Sequence, residues 1–151
     1  MQQPTPITTP ATIRRASEDA ASVPASERTP QQVADLLRRP FAPHVIKQRK
    51  IAGRDTDYIA IGDVLDRLNR ATLQWHWEVT RIEILTIPIR RKEGIVELPV
   101  FHVAGEISIP GLGTRQGIGT APCEGTEDAA KIAESDAIKR AASMFGVPVS
   151  R

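Results

Sequence analysis

Apolar positions along this chain recur with two different periods, and the switches between them mark the elements. From Thr29–Pro30, a helix N-cap followed by proline in the first turn, Val33, Leu36 and Leu37 give one apolar helical face, and Pro40 closes it. The period then changes. "VIKQRKI" (45–51) predicts a short cationic strand, "AGRDTD" (52–57) a turn, and "YIAI" (58–61) a second strand-like run. Ile61, Val64, Leu65 and Leu68 return to helical spacing.

Three strand-like segments follow. "WEVTRIEILTIPI" (77–89) is rich in β-branched residues, and Pro88 predicts an edge or a bend near its end. "RRKEG" (90–94) is a charged turn. In "VFHVAGEISI" (100–109) Phe101, Val103, Gly105, Ile107 and Ile109 share one face, and His102, Ala104, Glu106 and Ser108 the other. "PGLG" (110–113) is a turn signal, and "TRQGIGTA" (114–121) makes the third strand. Thr126 is a fair N-cap, Glu127 and Asp128 suit a helix N-terminus, and the last helix runs to about Phe145. The order predicts an α+β domain: an antiparallel meander of three main strands, preceded by short strands and packed against helices, the longest at the C-terminal end.

Residues 1–28 break this pattern. They hold four prolines and many Thr, Ser, Gln and Ala, with almost no large apolar side chains. Such a stretch is expected to stay a disordered tail, leaving 29–151 as the folded domain.

Composition narrows the functional classes. Twenty basic residues face eighteen acidic ones, a formal charge of +2, so any anion-binding surface must come from arrangement rather than excess. The single Cys123 excludes an internal disulfide framework and suits a reducing compartment. Charges interrupt every long apolar run, so no membrane span is expected. The N-terminus lacks the apolar core of a secretory signal. Arg14 and Arg15 lie among serines and threonines as in an organellar presequence, but Glu18 and Asp19 count against one.

Four groupings carry candidate chemistry. On the last helix, Lys139 and Arg140 sit side by side among Ala130, Ala133, Ala137, Ala141 and Met144, a stripe of small or slim side chains for close packing. Asp136 can hold Lys139 by i,i+3 or Arg140 by i,i+4 pairing. By spacing alone this fits a solvated charged face more readily than a ligand site. Lys47 and Arg49 would share one face of an extended chain with Lys50 on the other, which serves a guarded edge strand as well as a binding surface. Arg90, Arg91 and Lys92 suit a solvated hairpin tip. Trp75 and Trp77 read first as core anchors and only second as base-stacking rings.

Catalytic patterns are thin. His44, His76 and His102 are far apart, and no HExxH or CxxC spacing gathers a metal. "GLGTRQGIG" (111–119) leads into a strand rather than a helix, so it reads as close-packing glycines rather than a phosphate cradle. Cys123 is better read as structural than as a nucleophile. No cofactor is expected.

Taken together, "AESDAIKRAASMFG" (133–146), "VIKQR" (45–49), "YIAIGDVLDRLN" (58–69), Trp77 and "RQGIGTA" (115–121) resemble, in order, the single-strand annealing proteins of the Rad-fifty-two superfamily, a group that includes the bacterial DNA damage response protein A. The resemblance covers roughly residues 30–147. It implies a subunit that assembles into rings or helical filaments whose groove holds single-stranded DNA by its phosphates, leaving the bases free to anneal without ATP. It further implies that Arg49, Lys139 and Arg140 contact phosphates and that Asp136 orients the helix cations. Lys47, Lys50 and Lys131 would add to the field. Other recombination or replication proteins are compatible partners, and a cytoplasmic, nucleoid-associated bacterial or phage setting is implied. Ser143 stands where many relatives carry another cation, and "APCEGTEDA" (121–129) is acidic, so the groove is expected to be less cationic and a second outer DNA site is not expected. The chain ends just past the FG signature where relatives often continue, as a minimal member or a trimmed piece would. Two competing readings are an oligomeric scaffold of the same fold without useful DNA binding and a small hydrolase using Cys123 or a histidine.

Overall fold

The computed structural model describes residues 9–125 and 127–149. Helices α1 (Pro10–Ala21) and α2 (Pro30–Leu37) come first, then the hairpin β1 (Lys47–Ile51) and β2 (Arg54–Tyr58), and helix α3 (Ile61–Ala71). The strands β3 (His76–Arg91), β4 (Gly94–Ile109) and β5 (Gly113–Pro122) form one antiparallel sheet in the order β3-β4-β5, and α4 (Ala129–Ser143) closes the domain. The α+β class and the three-stranded meander therefore stand as expected.

Local chemistry explains the helix ends. Thr29 and Gln32 form a reciprocal capping box, with Gln32 N–H donating to Thr29 Oγ1 at 3.3 Å and Thr29 N–H to Gln32 Oε1 at 2.9 Å. At the far end of the domain, Gly146 has φ +95°, a conformation that favours glycine. The chain there turns so that Val147 N–H reaches back to Ala142 C=O at 3.3 Å, the 6→1 bond of a Schellman closure. Phe145 and Val147 on either side of that glycine are both buried in the core. The FG signature is thus a helix stop with a hydrophobic plug.

The core lies between the sheet and the helices. Leu37, Val64, Leu68 and Ile107 are all fully buried within it, each contributing about 1.5–3 kcal/mol. Its tightest seam is between β5 and α4. Ala133, Ala137 and Ala141 are completely sealed, and they meet Gly117 and Gly119. A Cβ on Gly117 would collide with the carbonyl oxygen of Ala137, and one on Gly119 with that of Ala133. The glycine run is therefore filled by helix backbone. Trp77 lies across Gly105 and donates its ring N–H to Glu134 Oε1 at 3.1 Å, while Trp75 donates to Asn69 Oδ1 at 2.7 Å. Both rings pack on the core, as anchors.

Four readings need correction. The stretch expected to be a disordered tail contains α1, which starts from a Thr9 cap and buries Ser17 and Ala20, packing against α2. Small residues suffice where a helix lies close to its neighbour, so the lack of large apolar side chains misleads. The turn after β1 is only Ala52–Gly53, both at positive φ (49° and 79°), as a two-residue hairpin requires. The second short strand is therefore "RDTDY" (54–58), not "YIAI", whose Ile59 is buried between elements. On α4, Ala130 and Met144 face outward, and Ala129 completes the sealed stripe at intervals of four. The Thr126 cap lies outside the described residues; α4 begins after Asp128.

Pro88 does lie on an edge strand, β3, opposite Glu97. Ile82 and Ile84, 61% and 60% exposed, lie on β3 opposite Val103 and Phe101, and beyond the last β4–β5 pair at Val100 the strands β3 and β4 run on as an arm, where Ile95 is 74% exposed. Arg90, Arg91 and Lys92 sit at its exposed tip, which turns at Lys92–Glu93.

Candidate nucleic-acid interface

Strand register decides what the first hairpin presents. Lys47 pairs with Tyr58, Arg49 with Thr56 and Ile51 with Arg54, so these six side chains share one face. The other face holds Gln48 opposite Asp57 and Lys50 opposite Asp55. Gln48 Nε2 donates to Asp57 Oδ1 at 3.0 Å. The hairpin therefore sorts its charge. Lys47, Arg49 and Arg54 stand on one face without a carboxylate, and both aspartates stand on the other. Arg49 is further steadied over the Tyr58 ring, 5.2 Å from its centroid.

The sequence-derived candidates fall on both faces. Lys47 and Arg49 belong to the acid-free face; Lys50 is directed away from them and faces Asp55. Arg54 was not among the candidates because it lies in a segment read as a turn. The signal that would have found it is the Ala-Gly pair at 52–53, which makes a two-residue hairpin and places Arg54 opposite Ile51.

Helix α4 holds the second set. Its rotation is set by the alanine stripe against β5, and successive residues lie about 100° apart around the axis. Lys139 and Arg140 therefore leave the helix in different directions. Lys139 is tucked in, with a side chain only 20% exposed and its Nζ 3.4 Å from Asp136 Oδ1, as i,i+3 spacing allows. Arg140 is exposed, and Ser143 Oγ donates to its carbonyl at 2.7 Å. Asp136 thus holds Lys139. Lys131, also exposed, lies two turns earlier on the same helix. Near the helix C-terminus Arg115 of β5 stacks over Phe145, 5.4 Å from the ring centroid, a cation that sequence reading also passed over.

Among the described residues no three His, Cys, Asp or Glu side chains come together in a way that would hold a metal. His102 Nδ1 lies 3.4 Å from Glu83 Oε1 on the sheet, and Glu83 also faces Arg81 at 3.6 Å. Cys123 is half-buried at the end of β5, with its backbone N–H donated to Pro99 C=O at 3.0 Å. No helix among the described residues is long and apolar enough to cross a membrane.

A three-stranded antiparallel sheet backed by one long helix, with cations displayed on a hairpin and on that helix, makes an α+β module. Residues 29–150 match the profile of the Rad52/22 family double-strand break repair proteins, and the chain belongs to that family. Its membership places it with proteins of DNA repair and recombination. No individually curated protein matches the chain.

Proposed function

We propose that this protein binds single-stranded DNA through its phosphates and anneals complementary strands without ATP, acting as a homo-oligomer. The observation that carries the reading is the charge-sorted hairpin. Lys47 and Arg49, joined by Arg54, form an exposed cationic face from which both aspartates are excluded by register. Lys139 and Arg140 on α4 add the second set, with Asp136 steadying Lys139, and Lys131 contributes to the field. Lys50, opposite Asp55, makes the smallest contribution.

Few aromatic side chains are available for stacking, so affinity rests on phosphate contacts. Those are indifferent to sequence and leave the bases accessible to a second strand. A handful of cations per subunit binds weakly alone and strongly when repeated around an assembly. Assembly is supported by β3, an unpaired edge on which Ile82 and Ile84 are exposed, and by the exposed Ile95 of the arm. Participation of other recombination or replication proteins fits the same reading.

The competing scaffold reading draws on Lys139, whose partial burial beside Asp136 would also suit a purely structural cation. Fluorescence anisotropy with a labelled single strand across a salt series separates the two. The expected result is a complex whose log affinity falls with log salt by roughly 0.7 per phosphate neutralised. A protein that forms oligomers but shows no salt-sensitive complex at micromolar concentration would be the scaffold.

A further inference from the structure

A second cationic site lies away from both the hairpin and α4. Between α1, α3 and the connection from α2 to β1 runs a cleft of about 950 Å³ whose walls carry Arg14, Arg28, Arg39, Arg67 and Arg70 against Glu18, Asp63 and Asp66. Two of the guanidiniums are fixed by backbone oxygens at helix ends. Arg28 donates from Nε to Ala20 and Val23 C=O at 3.2 and 3.0 Å, and from Nη1 to Ala71 C=O at 3.1 Å. Arg67 Nη1 donates to Leu36 and Leu37 C=O at 3.4 and 3.3 Å, and to Arg39 C=O.

Carbonyl oxygens satisfy the donors but do not neutralise the charge. The neighbouring carboxylate of Asp66 is held by Arg70 at 2.7 Å. Burial, with Arg39 beside it, pushes the Arg67 guanidinium down to about 10 although Asp66 pulls the other way, so it stays charged at neutral pH. Arg14 and Arg39 stand exposed on the same walls.

The walls also select the kind of anion. Glu18, Asp63 and Asp66 share the walls, so a ligand must set its negative charges at intervals, on the arginines and clear of the carboxylates. Of the two aromatic rings on its walls, Phe41 is covered on one face by the Arg67 guanidinium, 4.1 Å from its centroid, and His44 stands exposed. Between the arginines the surface is made by Pro40, Ala42, Pro43 and Val45, a floor for aliphatic side chains. We propose that this cleft docks an acidic peptide segment of a partner protein, its carboxylates meeting Arg14, Arg39 and Arg67 and its apolar side chains resting on the proline-rich connection.

The test uses a fluorescein-labelled peptide of alternating aspartate and leucine, with an asparagine-for-aspartate copy as control, titrated with the full chain. The aspartate peptide is expected to bind in a salt-sensitive way and the asparagine copy to fail. Arg14→Glu with Arg39→Glu should weaken the aspartate peptide by roughly tenfold or more while leaving single-strand binding unchanged. Arg14→Gln alone, which perturbs the fold least, should weaken it by a smaller factor in the same direction. Equal binding of both peptides, no binding, or an unchanged affinity in the folded variants would overturn the proposal. So would a variant that loses an oligonucleotide rather than the peptide, which would make the cleft a nucleic-acid surface. Because the readout is peptide binding, it stands or falls separately from the annealing reading.

Discussion

Hairpin β1–β2 and helix α4 carry the same type of side chain under opposite structural conditions. Every position of β1 is exposed, and its cations are sorted by ladder register alone. Helix α4 has one side sealed by glycine and alanine against β5, and its cations point where that seam directs them. The difference teaches where charge and stability are separable. On the hairpin they are independent. On α4 the cations can be removed without touching the seam, but the seam cannot be altered without moving the cations.

The largest effect should come from the seam itself. Gly119→Val places a branched side chain against the Ala133 carbonyl, which backbone cannot yield. Thermal unfolding should show a loss of roughly 3 kcal/mol or more, with single-strand binding falling alongside stability. A variant of unchanged melting temperature would mean that α4 does not lie on β5 as described.

Removing the cations of α4 should do the reverse. Lys139→Ala with Arg140→Ala is expected to abolish detectable strand binding under conditions where the parent saturates, while the oligomer persists. The half-buried i,i+3 pair to Asp136 contributes about 0.5 kcal/mol, so the melting temperature should move by only about 2 °C. Unfolding of this double variant would assign the pair a structural role.

A subtler split divides the two faces of the hairpin. Arg54→Gln should reduce the salt slope of single-strand binding by about 0.7, the share of one phosphate. Lys50→Gln, on the face with Asp55, should leave the slope nearly unchanged. Equal effects would show that register does not sort the binding charges. The smallest predicted change is stabilising: Gly62→Ala, in helix α3 with open space at its Cβ, should raise stability by about 0.5 kcal/mol in a denaturant melt.

These same regions show what could be read from sequence. Strands β4 and β5 and helices α2, α3 and α4 were legible because each buries one face, and burial imposes a period: Val64 and Leu68, or Val103 and Ile107, announce their element; β3, exposed along most of its length, was legible from its β-branched run. Strand β2 buries almost nothing, so "RDTD" has no alternation and shows only its turn-like composition. Arg54 was hidden with it. Helix α1 packs through Ser17 and Ala20, residues whose small size carries no hydropathic signal. Lys139, Arg140 and Asp136 could be named from their spacing, and the pairing of Asp136 with Lys139 follows from i,i+3 geometry. The arginine cleft could not be found this way, since its walls come from three separated segments.

The central claim is that a nearly neutral subunit grips the nucleotide chain by lining up copies of a few fixed cations. Particle mass in solution, measured with and without a single-stranded oligonucleotide, tests it most directly. The account predicts a multimer of defined stoichiometry that takes up the oligonucleotide. A protein that remains a monomer in the presence of the oligonucleotide would contradict it.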